Sequence, residues 1–119
     1  MYKIQSYQSE EADAFGHHLY FNANHEVFGA HFPGNPIVPG AVLIDVVRSA
    51  ASDVLGKEMR VVEVKNAKFI TVIVPDSDVT LNITSRCAQA EDGILFKSVV
   101  SDSEKIYAKF DLIVKEERL

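Results

Sequence analysis

The feature that most limits the fold is one long helical pattern in a chain that otherwise alternates like a sheet. From Pro39 onward, apolar residues recur at steps of three and four, which is the spacing of one buried helix face. The members of that face are Val42, Leu43, Val46, Val47, Ala50 and Val54. Pro39 suits the first helical position, and Gly56 suits the position just past the end. We therefore predict one helix across this segment.

The segments on both sides of this helix have the composition of β-strands. Before it, "YKIQSYQ" predicts an edge strand and "AFGHHLYFNAN" a second strand. After it come "MRVVEVKNAKFITVIV", closed by Pro75, and then "VTLNITSRC", "ILFKSVVS" and "IYAKFDLIV". The "EDG" at 91–93 indicates a hairpin, and "SDSE" indicates another turn. One helix and a mostly antiparallel sheet define an α+β fold in which the helix packs on the sheet.

Alternation predicts which strand residues face the helix. In two of these strands, "VTLNITSRC" and "IYAKFDLIV", the inward residues should be Val79, Leu81, Ile83, Cys87, Ile106, Ala108, Phe110, Leu112 and Val114.

Length and composition place the chain among ordinary globular proteins. The 119 residues suit a single domain, 1–119, with 47% hydrophobic and 24% charged residues. A net charge of −5 without a basic stripe disfavours a nucleic-acid partner. No apolar run approaches the roughly 18 residues that span a bilayer, and the beginning of the chain has no signal-peptide pattern. The lone Cys87 excludes an intrachain disulfide and fits a reducing compartment, so we expect a cytoplasmic protein.

The approach to the helix, "HFPGNPIVPGAVLID" at 31–45, is unusually restricted. Each proline fixes its own φ near −65° and pushes the preceding residue toward extended backbone. We predict that the stretch 25–40 is loop, because its prolines and glycines oppose regular structure. A histidine at position 31 on such a loop has little conformational entropy left to lose.

The start of the helix offers unsatisfied backbone donors. The first N–H groups of a helix have no internal partner, and Pro39 has no N–H to offer. The amides of Gly40 and Ala41 should therefore be free, at the positive end of the helix dipole. They suit a carbonyl oxygen that gains negative charge, where one such donor contributes about 3 kcal/mol to lowering a barrier.

Considered one at a time, these residues are better explained by ordinary structural roles than by catalysis or metal binding. A lone loop histidine is usually a surface residue, and Asp45 falls on the polar helix side with Arg48, Ser49 and Ser52. His17, His18 and His25 have no carboxylate or cysteine at ligand spacing, so we interpret them as strand and loop residues. We expect no metal and no cofactor.

The whole pattern, however, resembles a known family signature. A glycine, one residue, His-Phe-Pro-Gly, then Pro-x-x-Pro-Gly and an acid five residues later is similar to the β-hydroxyacyl-(acyl carrier protein) dehydratases. The matching positions are Gly29, His31, Phe32, Pro33, Gly34, Pro36, Pro39, Gly40 and Asp45. A weaker match is "NAKFITVIVPDSD". The resemblance, over roughly residues 14–115, implies the hot-dog fold: a curved antiparallel sheet wrapped around one long helix.

The resemblance also implies roles for individual residues. His31 would be the base at C2 of a (3R)-hydroxyacyl thioester, and Asp45 would act on the C3 hydroxyl. The amide of Gly40, assisted by Ala41, would polarise the thioester carbonyl, with Phe32 and Pro39 also at the substrate. Histidine and acid would come from different subunits of a homodimer or higher homo-oligomer. The acyl chain would arrive on the phosphopantetheine arm of an acyl carrier protein, in fatty acid or polyene/polyketide-type synthesis.

Some positions depart from the family pattern. Ser49 stands where a glutamine is usual, and Pro75-Asp76 stands where Pro-Gly is usual. An aspartate also has an ordinary pKa of about 3.9, so a proton-donating Asp45 needs a pocket that raises its pKa by desolvation. Two alternatives remain open. One is a hot-dog acyl thioesterase, and the other is a non-catalytic, acyl-carrier-binding subunit of a dehydratase heterodimer.

Overall fold

Six strands and two helices are present among the described residues. The structure, a computed structural model, describes residues 1–31, 34 and 36–118, with the side chains of residues 30 and 31 outside that description. In chain order the elements are β1 (Tyr2–Tyr7), β2 (Phe15–Phe21), α1 (Glu26–His31), α2 (Gly40–Leu55), β3 (Met59–Phe69), β4 (Thr80–Ala90), β5 (Gly93–Ser101) and β6 (Ile106–Glu116).

The strands form one sheet in the order β1-β2-β4-β5-β6-β3, and every neighbouring pair is antiparallel. The chain passes from β2, next to one edge, to β3, at the opposite edge, through α2. The helix must therefore cross one face of the sheet. This arrangement confirms the predicted α+β architecture.

The core lies between α2 and the facing side of the sheet. The helix buries one face, as its apolar spacing predicts, with Val46, Val47 and Ala50 fully inaccessible to solvent. Opposite them the strands contribute the alternate residues that point inward: Leu19, Ile83, Phe96, Val100, Ala108, Phe110, Leu112 and Val114. Burial of this apolar surface is the main favourable contribution to folding.

The ends of α2 follow from backbone chemistry. Pro39 immediately precedes the helix, with φ −63° and ψ 148°, so α2 begins at Gly40, one residue later than predicted. Gly56 ends the helix in the left-handed conformation, with φ 71°, as its position predicts. Within the described part of the chain, neither helix has the length and apolar character needed to cross a bilayer.

The prediction of continuous loop over 25–40 was wrong at its start, because residues 26–31 form the short helix α1. The prolines begin only at position 33, so they do not oppose this turn. The His25 carbonyl accepts the N–H of Phe28 at 3.1 Å, and the His25 Nδ1 accepts that of Val27 at 3.2 Å. Phe28 is fully buried and anchors the turn to the core.

The strand predicted over 59–74 was too long, since β3 ends at Phe69. Its continuation leaves the sheet and runs beside the segment that enters α2, where the Val38 N–H donates to the Ile73 carbonyl at 2.8 Å. Ile73 is buried there, whereas Val72 and Val74 are exposed. The apolar residues of 70–74 thus lie beside a second segment, the approach to α2, and β-propensity alone does not reveal this contact.

Three residues predicted to face the core are exposed: Val79, Cys87 and Ile106. Val79 precedes the first residue of β4, and Ile106 is the first residue of β6. Cys87 lies beyond Ser85, the last β4 residue that pairs with β2. Alternation identifies a face correctly but does not indicate where the helix stops covering it.

Truncation of a core aromatic residue should destabilise the protein strongly. Phe96 is fully buried at the centre of β5, so Phe96→Ala should lower the free energy of unfolding by about 3–5 kcal/mol. Its neighbour Lys97 is exposed, and Lys97→Ala should change stability by less than about 0.5 kcal/mol. Urea denaturation measures the free energy of unfolding of both variants. Equal losses in the two would show that the sheet faces are assigned incorrectly.

Candidate active site

Asp45 lies in a polar cluster that bridges the two edges of the sheet. We call this the edge cluster, and it consists of Tyr2, Asp45, Arg48, Ser49 and Glu58. Tyr2 comes from β1 at one edge of the sheet, and Glu58 immediately precedes β3 at the other edge. Asp45, Arg48 and Ser49 lie on the polar face of α2 between them. The sheet therefore wraps far enough around α2 for both edge strands to reach its polar face.

The two carboxylate oxygens of Asp45 have different donors. The Tyr2 hydroxyl donates to Oδ2 at 2.7 Å, and Arg48 Nε donates to Oδ1 at 2.9 Å. Arg48 Nη1 also donates to Glu58 Oε1 at 2.6 Å and to the Met59 carbonyl at 3.3 Å. These contacts fix the orientation of the carboxyl group, although its side chain remains 50% exposed.

The surroundings of Asp45 favour its ionised form. Partial burial raises the pKa of the carboxyl group, but the hydrogen bonds from Arg48 and Tyr2 and the positive charge of Arg48 outweigh it and hold the pKa below its ordinary value. A proton-donating Asp45 was expected to have an elevated pKa. In the single chain that expectation was wrong, because Arg48 on the same helix and Tyr2 from β1 both donate to the carboxylate.

The start of α2 presents free amides. The Pro39 carbonyl accepts the N–H groups of Val42 and Leu43, at 3.0 and 3.3 Å. Among the residues that the structure describes, the N–H groups of Gly40 and Ala41 have no acceptor. This is the arrangement expected for the first turn of a helix that no side chain caps.

An apolar groove of about 410 Å³ begins at Gly40, the first residue of α2, whereas Ala41 is not among its lining residues. Its walls come from the start of α2 and from the segment after β3, and its lining residues are Ile37, Val38, Pro39, Gly40, Leu43, Phe69, Ile70, Thr71, Val72 and Ile73. The Phe69 ring packs over Gly40, where an added Cβ would come within 2.9 Å of the ring. A residue with a side chain at position 40 would therefore have to displace Phe69.

The groove and the Asp45 carboxylate lie on opposite sides of α2. Each helical residue advances about 100° around the axis, so Asp45 is rotated roughly 140° from Gly40 and about 160° from Leu43. Asp45 is not among the residues that line the groove. Within one chain, a ligand in this groove does not reach this carboxylate directly.

The predicted site residues are only partly described. Pro39, Gly40 and Ala41 come together at the helix start, and Asp45 is placed on the polar face. Phe32 and the His31 side chain lie outside the described residues, although His31 is the last residue of α1. Their assignment therefore remains a prediction.

The other histidines occupy the strand and loop positions expected of them. His17 and His18 lie in β2, and His25 precedes α1. His17 is buried, and its Nε2 is 2.7 Å from Asp53 Oδ2, while its Nδ1 has no partner among the described atoms. A neutral ring with its proton on Nε2 satisfies this geometry best, because a protonated Nδ1 would be a buried donor without an acceptor. In the described part of the chain no group of three or more potential metal ligands occurs.

Two hydrogen-bond donors to Asp45 were not predicted from the sequence, although Arg48 was placed on the same polar face of the helix. Arg48 had a signal, since a cation three residues after an acid on a helix is a neighbour on its surface. Tyr2 had none, because it is 43 residues away and its approach depends on the curvature of the sheet. Ser49, noted for its unusual identity, is 2.8 Å from the Tyr2 hydroxyl.

Comparison with known proteins gives a consistent assignment. Residues 7–110 match the family model of the ApeI-like proteins, described as ApeI dehydratase. The chain is 31% identical over 96 residues to the 3-hydroxyacyl-(acyl-carrier-protein) dehydratase FabZ of Levilactobacillus brevis, an alignment that covers 75% of this chain and 64% of that relative's length. The fold is similar to that in the dehydratase heterocomplex ApeI:P from Xenorhabdus doucetiae, with TM-score 0.70, 19% identity and coverage of 94% and 97%. It is also similar to a hypothetical thioesterase with coenzyme A from Streptococcus pneumoniae, with TM-score 0.61, 13% identity and coverage of 100% and 92%.

Loss of the Asp45 carboxylate should change how stability depends on pH. A depressed folded-state pKa contributes stability above the unfolded value, about 3.9, and this contribution disappears as pH falls through the folded value. Asp45→Asn should therefore be less stable than the natural protein at pH 6, and the difference should shrink toward pH 3. Urea denaturation across this range checks the trend. A difference that stays constant with pH would contradict the ionised assignment.

Proposed function

Because the chain belongs to the ApeI-like dehydratase family, we propose that it removes water from a (3R)-hydroxyacyl thioester to give a trans-2-enoyl thioester. The acyl chain is carried by an acyl carrier protein, and the reaction serves fatty acid or polyene/polyketide-type synthesis. Residues 1–119 act as a single hot-dog domain in the cytoplasm, which agrees with one exposed, unpaired cysteine.

One observation carries this proposal: the start of α2 at Gly40 lines an apolar groove, and a fixed carboxylate lies on the polar face of the same helix. The groove accepts an acyl chain by burial of apolar surface. The amides of Gly40 and Ala41 provide donors for the thioester oxygen. The carboxylate of Asp45 provides a polar partner for a hydroxyl group.

In the proposed mechanism His31 takes the proton from C2 of the substrate. The electrons of that bond form the C2–C3 double bond while the C3–O bond breaks. The amides of Gly40 and Ala41, with Phe32 and Pro39 beside the substrate, stabilise the negative charge that develops on the thioester oxygen. The leaving hydroxyl receives a proton through Asp45 and departs as water. Asp45 takes that proton from solvent after the substrate binds, and His31 releases its proton to solvent once water has departed, so no net proton is consumed and Asp45 ends the cycle ionised.

The ionised state of Asp45 in the single chain fits the resting step of this cycle. A carboxylate first accepts a hydrogen bond from the C3 hydroxyl and orients the bond that will break. Burial is already the largest individual influence on the pKa of Asp45, and it acts upward. When substrate and a second subunit cover the half-exposed side chain, added desolvation raises its pKa toward the protonated form.

A complete site requires two copies of the chain. The groove at Gly40 and the Asp45 carboxylate are on opposite sides of α2, so one substrate uses the groove of one subunit and the carboxylate of the other. The β3 strand, of eleven residues, supports association, because it forms a sheet edge whose one partner strand among the described residues is β6. Such an edge is a template for pairing with a second chain.

The carrier protein binds away from the outer face of the sheet. The lysine and arginine residues that pair across the strands, Lys68 with Lys109 and Arg86 with Lys97, alternate with inward core residues and point away from α2. A carrier on that face could not deliver its arm to the groove. The carrier therefore docks on the helix side, near the mouth of the groove.

Two other functions remain as alternatives. Thioester hydrolysis occurs on similar folds, but the structural likeness to a named thioesterase is at 13% identity and concerns the fold alone. A non-catalytic role in a heterodimer is compatible with a neighbour described as a heterocomplex. The dehydratase is favoured because the family match extends over residues 7–110 and includes both His31 and Asp45.

A direct assay distinguishes these functions. The purified protein is incubated with pantetheine thioesters of (3R)-hydroxy acids of several chain lengths, and the products are separated by mass. Dehydration yields the enoyl thioester, hydrolysis yields the free hydroxy acid, and a non-catalytic subunit leaves the substrate unchanged. Free acid or unchanged substrate at every chain length, with correctly folded protein, would exclude the proposed reaction.

Removal of either proposed catalytic group should abolish most of the turnover. His31→Ala and Asp45→Asn should each lower kcat by about 100-fold or more, the usual range for an acid–base group. Both proteins should keep their helical circular-dichroism signal, which checks that the loss of turnover is not a loss of fold; for Asp45 this follows from its half-exposed side chain. A His18→Asn variant controls for loss of a histidine that points to the outer face. Wild-type rates in either active-site variant would remove that residue from the mechanism.

A mixed dimer tests whether the site is shared. In a heterodimer of a His31→Ala subunit and an Asp45→Asn subunit, one shared site contains both substitutions. The other site contains neither substitution and should be active. Differently tagged subunits are purified as the heterodimer and assayed, with each parent homodimer as control. Absence of recovery in a confirmed heterodimer would mean that each subunit carries a complete site.

A further inference from the structure

We propose that Tyr2 is a positioning residue for the reaction, because its hydroxyl holds the Asp45 carboxylate in the orientation that meets the C3 hydroxyl. This inference rests on the proposed dehydratase function and adds a residue from β1 to it. The phenol need not touch the substrate, since it acts through Asp45.

The contacts of Tyr2 concentrate on one short stretch of α2. Its oxygen is 2.7 Å from Asp45 Oδ2, 3.2 Å from the Asp45 carbonyl and 2.8 Å from Ser49 Oγ. No other element contributes a hydrogen bond to this phenol within the described residues. A tyrosine that only packed against the helix would not need three polar contacts on consecutive turns.

A phenol has one proton, so these three contacts have a direction. Asp45 is ionised and is the strongest acceptor, so the Tyr2 proton lies toward Oδ2. Ser49 then donates its own proton to the Tyr2 oxygen, and Arg48 Nη2 is 3.5 Å from the Ser49 oxygen. The chain of donors therefore runs from Arg48 through Ser49 and Tyr2 to the carboxylate.

The pKa of Tyr2 agrees with this direction of proton donation. Burial raises the pKa of Tyr2; the hydrogen bond from Ser49 lowers it, and the bond to Asp45 raises it, with a net increase. The phenol therefore stays a donor throughout the neutral range. Tyr2 faces Asp45, Arg48 and Ser49 on α2. The charged groups that act on its pKa are therefore Asp45 and Arg48, and Arg48 is itself paired with Glu58 before β3.

Holding the carboxylate has a chemical consequence. With Oδ2 engaged by Tyr2 and Oδ1 by Arg48, rotation of the carboxyl group is restrained at both oxygens, and each oxygen keeps a lone pair for a further donor. A substrate hydroxyl that approaches the half-exposed carboxylate therefore meets an acceptor with little rotational freedom. The Tyr2 bond also lowers the pKa of Asp45, so its removal must raise that pKa.

The test compares Tyr2→Phe with the natural protein in two measurements. Carbon-13 NMR of labelled aspartate should show the Asp45 carboxyl titrating at higher pH in Tyr2→Phe. With a hydroxyacyl pantetheine thioester, kcat should fall about tenfold or more while KM changes little, because one charge-assisted hydrogen bond is lost. The limb of the pH–kcat profile that Asp45→Asn removes should also move to higher pH.

Controls separate positioning from packing. Tyr20→Phe removes a phenol from the opposite face of the same β1–β2 hairpin and should leave kcat and the pH profile unchanged. Ser49→Ala, which withdraws the hydroxyl that donates to Tyr2, should move both measurements in the same direction as Tyr2→Phe but by less. It also keeps the ring of Tyr2, so it remains informative if Tyr2→Phe folds poorly.

The outcomes are distinguishable. An inactive natural protein refutes the proposed function, and with it a positioning role in that reaction. An active natural protein with unchanged kcat and pH profile in both Tyr2→Phe and Ser49→Ala refutes the role of Tyr2 alone. A uniform loss of activity without a shift in the Asp45 titration assigns Tyr2 to packing and overturns the inference.

Discussion

Burial of one face of α2 against the sheet is the constraint on which the rest of this structure depends. The apolar stripe of the helix meets the inward residues of all the central strands, and this fixes the rotation of the helix about its own axis. Once that rotation is fixed, the polar residues must point into the gap between the sheet edges. Asp45, Arg48 and Ser49 therefore meet β1 on one side and the start of β3 on the other.

The same rotation separates two chemical environments. The start of α2 at Gly40 lines an apolar groove made with the segment that follows β3. The carboxylate lies on the other side of the helix, among donors that favour its charge. A thioester substrate needs both environments, one for its acyl chain and oxyanion and one for its hydroxyl group. Association of two copies is the simple way to bring them to one substrate.

The sequence predicts much of this arrangement, and its failures have physical causes. The apolar spacing of Val42 to Ala50, the left-handed Gly56 and the "EDG" turn act locally, so local patterns identify them. The end of β3 at Phe69 was missed because the chain turns there toward the approach to α2, where Ile73 accepts the N–H of Val38, a contact between distant segments. The α1 helix was missed because the prolines that follow it dominate the composition of that stretch.

The residues of the candidate site also fall into those that a local sequence pattern predicts and those that depend on contacts between distant segments. Gly40, Ala41 and Asp45 belong to one helix, and a motif recognises them from residues adjacent in sequence. Tyr2 is joined to Asp45 only by the curvature of a sheet, which no spacing along the chain encodes. The pKa of Asp45 illustrates the consequence. Its direction is set by donors from two elements, Arg48 on α2 and Tyr2 on β1, whereas the expected elevation followed from the catalytic role assigned to Asp45 and not from its surroundings.

The central claim is that this chain catalyses reversible addition and removal of water at C3 of an acyl thioester. The most direct measurement runs the reaction in reverse, with a trans-2-enoyl pantetheine thioester in water enriched in oxygen-18, followed by mass spectrometry of every product. The account predicts a 3-hydroxyacyl thioester that carries the heavy oxygen at C3, with the thioester bond intact. Heavy oxygen found instead in a free carboxylic acid, or an enoyl thioester that remains unlabelled, would contradict it.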